Sequence, residues 1–97
     1  MIRHLVTFRF HDDVPAERIA TINRALGELP AQIPALREYS FGPDLGLPAA
    51  NGHYAITALV DDEAALDDYL HHPVHRRIAA ELIDPCASAI VAVQISV

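Results

Sequence analysis

The chain has 97 residues, 52% of them hydrophobic and 21% charged, which suits one compact domain over 1–97 and excludes a multidomain enzyme. Thirteen acids stand against seven arginines and no lysine, a formal charge of −6. That balance repels a polyphosphate backbone and an anionic lipid surface, so neither nucleic acid nor membrane is an expected partner.

The run Ile2 to Phe10 puts Ile2, His4, Val6, Phe8 and Phe10 on one face and Arg3, Leu5, Thr7 and Arg9 on the other. This period of two, in β-branched and aromatic residues, predicts a first strand. The run is too short and too polar for a signal peptide or a membrane span. With one unpaired cysteine, Cys86, that makes a cytoplasmic location the expectation. Asp12 and Asp13 then precede Pro15, a good opening for a helix. Ile19, Ile22, Leu26 and Leu29 form its apolar stripe, and Pro30 is expected to stop it.

Arg37 to Gly42 predicts a short second strand, and Pro43 to Gly52 a loop rich in turn residues. His53 to Val60 reads as a third strand leading into a helix opened by Asp61, Asp62 and Glu63. Leu66, Tyr69 and Leu70 lie on the apolar side of that helix, and Pro73 ends or kinks it. Val74, Ile78 and Leu82 carry a further helical stretch to about Ile83. Ala89 to Val97 predicts a last strand with apolar side chains on nearly both faces.

Strand, helix, strand, strand, helix, strand is the split βαβ order of an α+β, ferredoxin-like protomer with an antiparallel sheet and both helices on one face. The other face, with Leu5, Thr7 and the last strand, then needs a cover. A second copy of the chain is the expected one, because exposed apolar sheet of that extent is uncommon in monomers.

Three segments together resemble the stress-responsive dimeric α/β barrel (Dabb) family. They are Met1 to Phe10, with its Met-Ile-Arg-His start; Leu29 to Pro34; and Asp61 to Leu66 running into Tyr69-Leu70-His71-His72-Pro73-Val74-His75. The resemblance covers essentially the whole chain. It implies a ferredoxin-like protomer whose sheet pairs with that of a second protomer in a shared barrel. The family also includes a plant polyketide cyclase that closes a linear tetraketide by aldol condensation. Its pocket residues correspond to His4, Tyr69 and His75, while a further tyrosine of that pocket falls at about Leu26.

The residues themselves allow the same chemistry. His4 shares its strand face with Val6 and Phe8, and His75 shares a helix face with Ile78, so both imidazoles point toward the interior. Burial favours the neutral imidazole that a general base needs. His75 is the candidate base, with His4 and Tyr69 as orienting or oxyanion groups, in an apolar pocket lined by Val6, Phe8, Ile22, Leu26, Leu66 and Ile78. The expected ligand is a small apolar molecule, and the expected reaction a cofactor-free cyclase or aldol-type lyase step at a carbonyl compound. A non-catalytic, stress-associated binding protein fits the same residues. His71, His72 and His75 lack zinc-type spacing because Pro73 interrupts the helix, so neither metal nor cofactor is expected. His11 and His53 are expected at turns or in solvent.

Overall fold

The alternation in Ile2–Phe10 produces a strand, β1, at the centre of an antiparallel four-stranded sheet. The structure, a computed structural model, describes residues 1–97. After β1 come α1 (Ala16–Gly27), α2 (Leu29–Gln32), β2 (Glu38–Pro43), β3 (Tyr54–Val60), α3 (Glu63–Leu70) and α4 (Pro73–Ile78). A π-helical turn (Ala79–Ile83) and β4 (Ala87–Ser96) complete the chain. The strand order β2-β3-β1-β4 is that of the expected ferredoxin-like fold.

Pairing fixes which residues share a face. Across the sheet Tyr39 opposes Ala58, Ala58 opposes His4, and His4 opposes Gln94, so these four form one row. The neighbouring row is Phe41, Ile56, Val6 and Ala92, and the next ends in Tyr54, Phe8 and Ile90. These rows face the helices, where Phe8, Tyr54, Ile22, Leu26, Leu29, Ile33 and Tyr69 make a closed core. Truncating Leu26, which is 1% exposed, to Ala would cost about 2–5 kcal/mol because the cavity cannot fully collapse. The Tyr54 hydroxyl donates to Asn23 Oδ1 and ties β3 to α1.

Pro30 does not stop the first helix as expected. Gly27 closes α1, and Pro30 sits in the first turn of α2, where a missing amide leaves no helical acceptor unpaired. α3 starts where expected: Asp62 caps it by accepting from the Ala65 amide at 2.9 Å. The stretch after Pro73 reaches Ile83, but its last turn is π-helical, with the Asp84 amide donating to the Ala79 carbonyl at 2.8 Å. The wider turn rotates the stripe, so Ile83 is buried in place of Leu82.

The last strand starts two residues earlier than the sequence predicts and lies at the sheet edge beside β1. Its side chains beyond Ala87 are exposed on both faces, because the helices cover only the other three strands. The loop before β3 is pinned: Asp44 accepts from the Gly46 amide at 2.7 Å and from Asn51 Nδ2 at 3.0 Å, with Gly46 supplying a left-handed φ of 77°.

Candidate functional site

His4 reaches the interior because the period of two on β1 turns it toward the helices, where it is 4% exposed. Tyr69 comes from the last turn of α3 and is 1% exposed. His75 comes from the first turn of α4, half-buried. The two helices meet at a sharp break. His72 accepts from the Val74 amide at 3.2 Å through its ring Nδ1, and Pro73 occupies the first helical position. The break folds His75 back onto Tyr69, with ring centroids 4.5 Å apart.

Tyr69 is the hub of the cluster. Its ring stands edge-on to His4 at 6.0 Å and to Tyr39 at 6.2 Å, which places it above the small Ala58 that separates those two in the sheet. The three sequence-predicted site residues are therefore brought together. His75 Nδ1 lies 3.1 Å from the Leu70 carbonyl. A carbonyl only accepts, so the neutral ring carries its proton on Nδ1 and keeps the Nε2 lone pair free.

Burial holds both imidazoles below the ordinary value of 6.5. For His4 the neighbouring His75 adds to the effect of burial. For His75 the Leu70 carbonyl opposes it, while His72 and His71 reinforce it. Burial likewise raises Tyr69, against a partial offset from Tyr39. Two neutral imidazoles around a protonated phenol can accept a proton at one point and donate hydrogen bonds at another.

Two members of the cluster were absent from the sequence reading. Gln94 on β4 lies 2.8 Å from His4 through Nε2 and Nδ1. Tyr39 on β2 buries its hydroxyl without a hydrogen bond of good geometry, and burial, reinforced by the neighbouring Tyr69 phenol, pushes its ionisation up. The signal for Gln94 is present in the sequence, since it is the one amide in a strand otherwise made of aliphatic residues and two serines. Tyr39 carried no such signal, because a tyrosine in a short strand is ordinary.

The residues predicted to line an interior pocket mostly pack against one another, and of them Leu66 also borders an open depression. Phe8, Ile22, Leu26 and Ile78 belong to the core, and Val6 and Leu66 rest half-buried against it. The depression, of about 550 Å³, lies at the end of the sheet and is formed by Ile2, Glu63, Leu66, Gln94, Ile95 and Ser96. Gln94, which lines this depression, lies beside the buried His4 ring, which does not line it.

The remaining histidines have local partners or face solvent. His53 Nδ1 accepts from the Phe10 amide at 2.9 Å, His71 pairs with Asp67 at 2.9 Å, His72 caps α4, and His11 is exposed. No group of three or more His, Cys, Asp or Glu side chains is arranged to hold a metal ion.

Residues 2–97 match the family model of the stress responsive A/B barrel domain. An uncharacterized protein of Streptomyces coelicolor is 36% identical over 78 residues, covering 78% of this chain and 80% of that protein. A dimeric ferredoxin-like protein of unknown function from Thermobifida fusca has a TM-score of 0.92 at 42% identity, covering 99% of this chain and 90% of that one. A hydroxynitrile lyase from Passiflora edulis shares the fold at 23% identity, with a TM-score of 0.86 and coverage of 99% and 92%.

Proposed function

The chain belongs to the stress responsive A/B barrel domain family, and on that premise we propose that its His4, Tyr69 and His75 cluster serves a small, uncharged or weakly acidic carbonyl or aromatic ligand, in a homodimer. The reaction is a cofactor-independent cyclase or aldol-type lyase step. The observation that carries it is the 3.1 Å contact between His75 Nδ1 and the Leu70 carbonyl, which frees Nε2 beside the Tyr69 ring.

In that step His75 Nε2 takes a proton from the carbon next to a carbonyl. The C–H electron pair forms the C=C bond of an enolate, the carbonyl π pair moves onto oxygen, and that oxygen accepts hydrogen bonds from Tyr69 and His4. The enolate carbon attacks a second carbonyl, forming the new C–C bond, and the imidazolium returns its proton to the resulting alkoxide. The lyase direction is the reverse. That a hydroxynitrile lyase uses this fold supports the class of chemistry at the level of the scaffold alone.

The homodimer rests on the outer sheet face. Val91, Val93 and Ile95 of β4 are 60%, 52% and 47% exposed beside Leu5 and Thr7 of β1, and the Thermobifida fusca relative is dimeric. Such a face gains by being covered with a copy of itself. The lone, buried Cys86 accords with a reducing, cytoplasmic location.

A second reading is favoured by the burial of His4 and Tyr69 in the protomer: a stress-associated protein that binds without turnover. A thermal-shift screen of aromatic and β-dicarbonyl compounds tests the site common to both. Selective ligands raise the melting temperature by mass action. The His75→Gln variant should lose that response, and a response retained in full contradicts the site.

A further inference from the structure

We propose that Gln94 is the positioning residue that fixes His4 as the tautomer with its proton on Nε2, making His4 a hydrogen-bond donor opposite the acceptor His75.

Gln94 stands directly across from His4 in the β1–β4 ladder, so the two side chains emerge on the same face at adjacent positions. The carboxamide nitrogen lies 2.8 Å from His4 Nδ1. An amide N–H₂ only donates, so Nδ1 must present its lone pair and the neutral ring must carry its proton on Nε2. His75 has the opposite arrangement, because its Nδ1 faces the Leu70 carbonyl. The two imidazoles are thus set in complementary tautomers, one offering an N–H and the other a lone pair, with Tyr69 between them.

The surroundings leave this role to Gln94. The groups packed around His4 are Tyr69 of α3, His75 of α4 and, beyond Ala58, Tyr39 of β2. None of them is a carboxylate that could hold a proton on Nδ1. Glu63 is the one acid among the residues that line the depression with Gln94. Gln94 therefore stands between the open depression and a buried ring: a carbonyl ligand reaching that ring would meet His4 already polarised as a donor. That consequence rests on the proposed function, whereas the tautomer itself does not.

The test is nitrogen-15 NMR of the histidine rings in the whole protein without ligand, which reports the protonated nitrogen. In the unaltered chain His4 is expected with its proton on Nε2; a proton on Nδ1 overturns the proposal. In Gln94→Glu the carboxylate accepts, so the proton should move to Nδ1 and the His4 pKa should rise by about one unit or more. In Gln94→Met, which keeps the length and removes the donor, His4 should lose its single tautomer. An unchanged His4 tautomer in either folded variant overturns the assignment. Because no ligand is used, failure here is distinct from failure of the proposed function.

Discussion

Tyr69 and His75 lie on successive short helices, yet their rings approach to 4.5 Å because His72 and Pro73 end one helix and begin the next between them. On one continuous helix these positions would lie about 120° apart around the axis, since six residues span about 600° of rotation at 3.6 residues per turn. The break thus builds the site, and the capping role of His72 is structural support for the chemistry of His75.

The depressed values of His4 and His75 set a pH dependence. Both rings stay neutral in the folded protein below 6.5, the ordinary value at which the unfolded chain takes up protons. Their contribution is therefore fully present above 6.5 and is lost as the pH falls below it toward the folded values. Melting temperature should decline from pH 7 to pH 5, with a shallower slope in His75→Gln. Equal slopes in the two proteins would contradict the assignment.

The Tyr39 hydroxyl is buried beside the Tyr69 phenol without a hydrogen bond of good geometry. Its removal in Tyr39→Phe should leave stability unchanged or raise it by about 1 kcal/mol, because an unpaired buried hydroxyl carries a desolvation cost. Chemical denaturation measures this directly. A loss of about 1 kcal/mol or more would show that the hydroxyl is bonded.

The outer sheet face predicts a mass. In sedimentation at micromolar concentration the protein should run at twice 10.6 kDa, and Val93→Glu, which puts a carboxylate beside Leu5, should return it to 10.6 kDa. A wild-type protein sedimenting only as the protomer contradicts the dimer.

Much of this architecture is legible in the residues. The alternation in β1 fixes the inward direction of His4, and the acids ahead of α3 mark its start, because periodicity and capping are local properties. Local signals do not reveal what depends on neighbours in space. The exposure of β4 follows from its place at the sheet edge, and the burial of Ile83 follows from a π turn. Gln94 gains its meaning only from a partner 90 positions away. Pro30 looks like a stop in the sequence because a proline that ends one helix and a proline that opens another are alike until the end of α1 at Gly27 is known.

The central claim is that His75 acts as a base on a carbonyl ligand, and turnover tests it most directly. Wild-type protein and His75→Gln would be compared on a panel of β-polyketones, with melting temperature recorded for both. The wild type should convert them and the variant should lose about 100-fold or more of that activity, with the fold intact. Equal conversion by the two proteins, or no conversion by wild-type protein that binds these compounds, would contradict it.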